Sequence, residues 1–276
     1  MLPARYTIVG ASGFVGSRLA ASLRQAGHTV LTPSRNDPML FTQSLGQVIY
    51  CAGLTADFAA RPFDTVEAHV TLLARVLQES DFTHLLYLSS TRLYDSLGDN
   101  GGKDVDESVS LILHPAEPRH LYDLSKALGE NLCLGTAAGR TAVARLSCVY
   151  DWQDQAPGFL SAWLQRASVQ KTLMLDSTTG VVRDYIHVAD VVAALTAISQ
   201  QQLTGTYNVA SGENVSNGDI AAIFNDHGWR VTLSRTSPPQ PYARCTVSRL
   251  AAAGVRPARV RDVIQQLIRS GFDATT

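Results

Sequence analysis

Short apolar runs alternate with longer amphipathic stretches over the first two thirds of the chain. The apolar runs predict strands at residues 6–9, 29–32, 48–51, 84–89 and 142–146. The amphipathic stretches predict helices at residues 13–26, 63–79 and 119–138. Strands that alternate with helices are typical of a parallel sheet covered by helices on both faces. The pattern therefore predicts an α/β fold.

The regular alternation ends near residue 151, where a polar, proline-containing segment begins. The sequence has no internal repeat, low-complexity tract or long linker, so the remaining residues are expected to fold against the first part of the chain. We predict a main domain of residues 1–150, with a return segment near residues 181–210. Residues 151–180 and 211–276 are predicted to form a small, discontinuous substrate-binding lobe.

Composition excludes several classes of function. The formal net charge is -1 and charged residues make up 17% of the chain, so no global field attracts nucleic acid or an anionic membrane. The apolar residues 188–198 are interrupted by Asp190 and are far fewer than the roughly 20 that a membrane span needs. The four cysteines are scattered, with no Cys-x-x-Cys and no Cys/His cluster, which predicts reduced thiols and no metal site. Because no basic leader precedes the first strand, we expect a soluble, cytoplasmic protein.

A glycine-rich turn joins the first predicted strand to the first predicted helix. Its spacing is Gly-x-x-Gly-x-x-Gly, which differs from Gly-x-Gly-x-x-Gly, the commonest dinucleotide fingerprint. Glycines in such a turn let the backbone approach a pyrophosphate, which the amide groups at the helix N-terminus attract. A tight turn without a ligand is the alternative. We favour a Rossmann-type cofactor site that includes Gly10, Ser12, Gly13, Phe14, Val15 and Gly16.

The segments after the second and third predicted strands complete this cofactor site. A carboxylate at the end of the second strand would bind the ribose hydroxyls of NAD and repel the extra phosphate of NADP. The sequence has Ser34 and Arg35 there instead, a hydroxyl and a guanidinium that suit a phosphate. We therefore favour NADP(H) over NAD(H), the alternative being that Arg35 is a solvated loop cation. Cys51, Ala52 and Gly53, at the end of the third strand, are assigned to the same site.

Tyr122 and Lys126 lie four residues apart in a predicted helix, so they share one face of it. A free phenol has a pKa of roughly 10 and is a poor proton donor at neutral pH. A cation one turn away favours the phenolate and brings the pKa towards a useful value. An ordinary surface pair is the alternative, because this spacing is common by chance. Other motifs must therefore decide whether this pair is catalytic.

Two further motifs make the pattern specific. Residues 89–94, Ser-Ser-Thr-Arg-Leu-Tyr, place hydroxyl groups at the carboxyl end of a strand, where open α/β sheets bind ligands. Arg183 opens the second motif, Arg-Asp-Tyr-Ile-His-Val. With the glycine turn and the Tyr122/Lys126 pair, these motifs resemble the extended short-chain dehydrogenase/reductases. More narrowly, the chain resembles the NAD-dependent epimerase/dehydratase family, which modifies nucleotide sugars, from about residue 6 to residue 266.

The resemblance implies a role for each matching residue. It makes Tyr122 the general acid/base, and Lys126 both a modulator of its pKa and a partner of the nicotinamide ribose. Ser90, four residues before Tyr94, matches the hydroxyl that positions the substrate oxygen. Such groups suit hydride transfer, because the oxygen must gain or lose a proton as the carbon gains or loses hydride. The residues expected to bind substrate are Ser90, Thr91, Cys148 and Arg183, with Arg183 at a diphosphate.

The chain departs from the family pattern at positions that bear on the reaction. Sugar dehydratases of the family carry Asp-Glu where this chain has Thr91 and Arg92, so elimination of water is disfavoured. Cys148 replaces an asparagine common in epimerases, and we expect a buried small residue rather than a nucleophile. Asp95 and Asp151 replace glycines, and carboxylates at that rim would repel a diphosphate unless they point away.

These features favour an NAD(P)-dependent reductase of a 4-keto nucleotide sugar, in deoxysugar or surface-polysaccharide biosynthesis. A nucleotide-sugar epimerase with tightly bound NAD would use the same residues and is the runner-up. A non-catalytic NADP-binding sensor or scaffold is a candidate of another class, although such proteins usually lack the Tyr/Lys pair. The resemblance also implies a homodimer formed through a four-helix bundle by the helix that carries Tyr122 and the helix before it.

Overall fold

The computed structural model describes residues 3–153 and 156–272. Its strands are β1 (Arg5–Val9), β2 (Thr29–Leu31), β3 (Gln47–Tyr50), β4 (His84–Ser90), β5 (Thr141–Leu146), β6 (Cys148–Tyr150), β7 (Thr172–Thr178), β8 (Val182–His187), β9 (Gly205–Val209), β10 (Asn214–Ser216) and β11 (Arg230–Arg235). Its α-helices are α1 (Phe14–Gln25), α2 (Met39–Thr42), α3 (Pro62–Val66), α4 (Leu72–Glu79), α5 (His120–Thr136), α6 (Phe159–Val169), α7 (Val188–Gln200), α8 (Asn217–Asp226), α9 (Ser248–Ala252) and α10 (Val260–Arg269). A π-helical turn, Glu67–Thr71, joins α3 to α4, and 3₁₀ turns lie at Thr91–Leu97, Asn100–Gly102 and Ala138–Arg140. Within the described ranges, no helix has the length and hydropathy needed to cross a membrane.

Six parallel strands form the central sheet, in the order β2-β1-β3-β4-β5-β9. Their pairing is parallel because helical connections cross over between successive strands. The chain runs from β1 to β2 on one side and then returns to β3 on the other, so the strand order reverses between β1 and β3. Ligands of open α/β sheets bind outside the carboxyl ends of the strands at such a reversal.

Apolar side chains on both faces of this sheet hold the helices in place. Leu19 and Leu23 of α1 pack with Leu195 of α7 against one face. Val76 of α4 packs with Cys133 of α5 against the other. The four-residue spacing of the two leucines is the helical stripe that the sequence predicts. The α/β fold, with a parallel sheet covered on both faces, is confirmed.

The predicted strands and helices of the first two thirds agree with the structure to within two residues at each end. The one difference inside a predicted helix is the π-helical turn between α3 and α4. A π turn accommodates one extra residue and is frequent at functional sites. Here it carries the buried His69, which faces α5.

A second apolar core lies beside the central sheet. Trp163 of α6, Phe224 of α8 and Ile264 of α10 belong to it, and the first two rings stack with centroids 5.8 Å apart. Its strands form two small sheets, β10-β8-β6 and β11-β7. Arg18 of α1 pairs with Asp151 at 3.4 Å and so connects the sheet to the start of this region. The domain boundaries given above stay a prediction.

Candidate active site

Backbone, rather than side chains, lines the turn after β1. Gly10 has a φ of +87°, and a Cβ on it would lie 2.6 Å from the Ala52 amide nitrogen. A Cβ on Gly16 would collide with the Gly10 carbonyl oxygen. Gly13 precedes α1, whose first turn has no side-chain cap and no acidic residue. Amide donors and the positive end of the helix dipole are therefore available to an anion such as a pyrophosphate. The other residues assigned to this turn are the exposed Ser12 and the partly buried Phe14 and Val15.

The segment after β2 carries positive charge to the same edge of the sheet. Ser34 and Arg35 are both exposed. Burial raises the pKa of Tyr50 at the end of β3, and the charge of Arg35 opposes that rise, so Arg35 lies near this strand end. Asp37, two residues after Arg35, accepts a hydrogen bond from the Met39 amide at 2.9 Å at the start of α2. Its carboxylate is therefore engaged by the helix.

The segment after β3 connects the cofactor residues to the Tyr/Lys helix. Cys51, Ala52 and Gly53 follow the strand directly. A Cβ on Gly53 would lie 2.8 Å from His69 Nε2 and 3.3 Å from Lys126 Nζ. Glycine therefore lets the main chain after β3 come close to the His69 ring and the Lys126 ammonium. Burial raises the pKa of the Cys51 thiol to about 12, so it is protonated at neutral pH.

Tyr122 and Lys126 lie one turn apart on α5, with exposed fractions of 5% and 4%. Lys126 Nζ donates a hydrogen bond to the Leu88 carbonyl at 2.8 Å and lies 6.0 Å from the centroid of the Tyr122 ring. Burial raises the pKa of Tyr122 to about 12, although a hydrogen bond with Ser90 and the charge of Arg92 oppose the rise. Burial also lowers the pKa of Lys126 to about 7.

Ser90 ends β4 and caps the 3₁₀ turn that follows. Its Oγ accepts a hydrogen bond from the Arg92 amide at 3.1 Å and lies within hydrogen-bonding reach of the Tyr122 phenol. The two hydroxyls that the sequence predicts to act together therefore meet at the carboxyl end of the strand. Thr91 is buried, and its hydroxyl donates to the Leu146 carbonyl at 3.4 Å.

The Arg92 guanidinium lies against the ring of Tyr122. Its Cζ lies 5.1 Å from the centroid of the Tyr122 ring, and its Nε lies 3.3 Å from Asp123 Oδ1. Sequence reasoning treated Arg92 only as a missing acid and expected Lys126 to favour the phenolate. In the structure Lys126 is hydrogen-bonded to the Leu88 carbonyl and Arg92 lies against the ring, and the role expected of Lys126 stays a prediction.

His69 fastens the loop after β3 to α5. Its Nε2 accepts the Leu54 amide at 3.1 Å, so Nδ1 carries the proton and donates to Ser125 Oγ at 2.8 Å. Ser125 in turn donates to the Tyr122 carbonyl at 2.8 Å. Burial lowers the pKa of His69 to about 2, with a further contribution from the charge of Lys126. The ring is therefore neutral, and its contacts orient the loop and the helix.

A second group of side chains approaches Tyr122 from β6, β8 and the C-terminal part of the chain. The Arg183 guanidinium lies 5.2 Å from the ring centroid of Tyr242. Burial raises the pKa of the Cys148 thiol to about 11, against the charge of Arg183, so this cysteine is not a nucleophile at neutral pH. Burial also raises the pKa of Asp95, against the charges of Arg183 and Arg92. Sequence analysis missed Tyr242, because no local motif marks it.

Asp95 and Asp151, the two carboxylates expected at the rim of the substrate site, point in different directions. Asp151 is buried and points away, with its oxygens 3.4 Å from Arg18 Nη2 and 3.5 Å from His187 Nε2. Asp95 remains beside Arg183 and reduces the positive charge there. Across residues 3–153 and 156–272, no group of three His, Cys, Asp or Glu side chains is placed to hold a metal ion.

Comparisons with known proteins agree with this architecture. A sequence profile described as the NAD dependent epimerase/dehydratase family matches residues 6–210. A search of curated proteins found no match.

Several solved structures share the fold along nearly the whole chain. MoeE5 in complex with UDP-glucose and NAD has a TM-score of 0.75 at 20% identity, covering 96% of this chain and 97% of its own. RMD from Pseudomonas aeruginosa, complexed with NADPH, has a TM-score of 0.75 at 23% identity, covering 98% and 99%. TunA, an NAD-dependent NDP-hexosamine 5,6-dehydratase involved in tunicamycin biosynthesis, has a TM-score of 0.75 at 17% identity, covering 99% of both chains. At these identities the likeness establishes the fold, and the Rossmann-type prediction is confirmed.

Proposed function

The chain belongs to the NAD-dependent epimerase/dehydratase family, and from this we propose that it is an NAD(P)-dependent oxidoreductase that reduces a 4-keto nucleotide sugar. The observation that carries the proposal is the proximity of the Ser90 and Tyr122 hydroxyls at the carboxyl end of β4, where Ser90 lowers the pKa of the phenol. Two hydroxyls in this arrangement can bind one carbonyl oxygen, and Tyr122 can give it a proton as hydride reaches the carbon. The glycine turn after β1 lies at the same edge of the sheet.

The residues at the ends of β1, β2 and β3 fit a nicotinamide dinucleotide. The turn that begins at Gly10 would hold the pyrophosphate, and Lys126 would bind the nicotinamide ribose. When bound, the cofactor supplies hydride. Structures with this fold have been solved with NAD and with NADPH. Our preference for NADP(H) therefore rests on the exposed Ser34 and Arg35.

A nucleotide sugar is proposed as the substrate from the residues on the lobe side. Arg183 would contact the diphosphate, although Asp95 beside it reduces the local positive charge. The structure of MoeE5 with UDP-glucose supports this class of ligand for the fold. A role in deoxysugar or surface-polysaccharide biosynthesis and a cytoplasmic location stay predictions from the sequence.

Reduction is favoured over dehydration because no carboxylate directly follows Ser90. Elimination of water needs an acid and a base beside the reacting carbons. Thr91 is bound to a main-chain carbonyl, and Arg92 carries a positive charge. An epimerase would use Tyr122 and Ser90 in the same way, so it remains the runner-up.

Turnover of defined keto-sugars tests the proposal. UDP-, dTDP-, CDP- and GDP-linked 4-keto sugars are each mixed with protein and NADPH, and consumption of NADPH is measured. We expect turnover with one nucleotide class, and Tyr122→Phe should lower kcat by about 100-fold or more while the Kd for NADPH changes only a few-fold. Tyr207→Phe is the matched control, because the Tyr207 ring lies on β9 and contacts Arg249. This variant should retain activity.

Two outcomes contradict this scheme. An active Tyr122→Phe variant would show that the phenol is not the proton donor. Stoichiometric NAD released from the denatured wild-type protein would instead indicate the epimerase, because a reductase exchanges its cofactor in each cycle.

A further inference from the structure

Arg92 is fixed beside the proposed proton donor, but part of its guanidinium has no partner. The rings of Tyr122 and Phe58 pack against it, with centroids 5.1 Å and 4.7 Å from its Cζ. Its Nε lies 3.3 Å from Asp123 Oδ1, and its Nη2 donates to the Arg119 carbonyl at 3.4 Å. Within the described part of the chain, Nη1 donates to no acceptor, although the side chain is only 30% exposed. The Nη1 donors can therefore bind a ligand.

The acids around Arg92 do not neutralise the positive charge there. Arg119 approaches the same carboxylate, with Nη1 3.9 Å from Asp123 Oδ2, so two guanidinium groups share one acid. Asp123 is buried, and its Oδ1 accepts no hydrogen bond from the described residues. A second acid, Asp95, lies close enough to Arg183 and Arg92 for their charges to oppose the rise that burial causes in its pKa. Three arginines and two carboxylates leave an excess of positive charge.

A guanidinium with free donors suits the oxygen atoms of an anion, and the chemistry of the substrate indicates which anion Arg92 meets. In a 4-keto nucleotide sugar the diphosphate is on C1, across the ring from the carbonyl carbon, whereas C3 and C5 adjoin that carbon. Tyr122 binds the carbonyl oxygen in the proposed function, and Arg92 lies against the Tyr122 ring. The anion within reach of Arg92 is therefore a substituent of the sugar rather than the diphosphate.

We propose that Arg92 is a specificity-determining residue that binds a carboxylate on the sugar of the substrate, next to the carbonyl that Tyr122 protonates. This inference rests on the proposed function and deepens it, because it narrows the substrate to acidic sugars such as hexuronates. Phe58 and Asp123 hold the guanidinium in place. Arg119 offsets the charge of Asp123, so the charge of Arg92 remains for the ligand.

Two sugar phosphates that differ only at C6 test the proposal. Glucuronate 1-phosphate carries a carboxylate at C6, and glucose 1-phosphate carries a hydroxymethyl group there. Each is titrated into the protein in the presence of NADPH, because the alcohol form of a sugar cannot accept hydride, and Kd is measured by ligand-observed NMR. We expect glucuronate 1-phosphate to bind about 10-fold more tightly, because it alone forms a charge-assisted hydrogen bond with Arg92.

Substitution of Arg92 should remove this preference without a general loss of binding. In Arg92→Met the preference should fall to about 2-fold or less, through weaker binding of glucuronate 1-phosphate alone. Arg92→Lys should keep part of it, because an ammonium is charged but lacks the planar fork. Arg75 is the matched control, because its guanidinium also packs on an aromatic ring, that of Phe41 at 4.4 Å, and pairs with Glu79 at 3.6 Å. Arg75→Met should leave both Kd values unchanged.

Should Arg92→Met not fold, Arg92→Met with Asp123→Asn removes both partners of the ion pair and should lose the preference in the same way. Equal affinity of the wild-type protein for the two phosphates, failure of both to bind, or a preference that persists without Arg92 would overturn the inference. Turnover of neutral 4-keto sugars alongside any of these results would leave the proposed function standing. Absence of both binding and turnover would reject the proposed function as well.

Discussion

Arg35 is the residue on which the proposed choice of NADP(H) depends. We predict that Arg35→Ala weakens binding of NADPH by about 10-fold or more and of NADH by only a few-fold, since a hydrogen bond to a charged phosphate contributes about 1.5–3 kcal/mol. Calorimetric titration with both cofactors measures the two losses. Arg24→Ala is the control, because Arg24 lies at the same edge of the sheet but already donates to Thr32 Oγ1 at 3.3 Å. Equal losses for both cofactors in Arg35→Ala would remove the argument for phosphate recognition.

The spacing of residues along the chain predicted part of the candidate active site, but not the contacts between side chains of different elements. Gly10 and Ser90 follow strands whose ends are readable from the sequence, so their meeting at one sheet edge could be inferred. The four-residue spacing predicted that Tyr122 and Lys126 share a helix face. It could not predict where the Lys126 ammonium lies, because a main-chain carbonyl of β4 binds it. Arg92 lies against Tyr122 only because the 3₁₀ turn folds onto α5, and no sequence pattern specifies that contact.

At the scale of elements, the approach of α5 to β4 depends on one glycine. A Cβ on Gly129 would lie 2.5 Å from the Tyr87 hydroxyl, which donates to the His69 carbonyl at 3.2 Å. We predict that Gly129→Ala destabilises the protein by about 1–3 kcal/mol, because the overpacked ring or helix must move. Gly135, on the same helix with nothing near its Cβ position, is the control. Gly135→Ala should stabilise by about 0.5–1 kcal/mol through helix propensity.

Urea unfolding followed by circular dichroism measures both variants. Opposite signs are expected, and a loss of similar size in the two variants would show that the contact with Tyr87 is not the cause. The activity assay adds a functional readout, because Lys126 Nζ lies 4.9 Å from the Tyr87 centroid and should move with that ring.

Periodicity predicted the elements well because both faces of the central sheet are buried, so hydrophobic spacing reports directly on strand and helix. The π-helical turn at Glu67–Thr71 escaped prediction. One extra residue in a single turn leaves the apolar period of the whole helix almost unchanged. Yet this turn orients His69 towards α5. The detailed geometry of the site therefore depends on a feature that hydrophobic periodicity does not show.

At the scale of the whole molecule, ion pairs between distant parts of the chain were beyond prediction. Asp151 looked from the sequence like a carboxylate at the rim of the substrate site. In the structure it is buried and pairs with Arg18, a residue 133 positions away. Pairing across such a separation is set by the folded arrangement of α1 against the lobe, and composition and spacing carry no signal for it.

The assembly state is the last prediction, and it concerns the outer surface of α3 and α5. Phe63 on α3 is 87% exposed and Leu128 on α5 is 48% exposed. The homodimer that the family resemblance implies would cover both side chains, with about 1.5–3 kcal/mol gained for a fully buried Phe. Phe63→Asp should therefore shift the mass measured by light scattering from twice 29.7 kDa towards 29.7 kDa. Val169→Asp, at an 82% exposed position on α6, is the control and should leave the mass unchanged. A wild-type mass of 29.7 kDa at every concentration, or equal loss in both variants, would contradict a dimer formed by this surface.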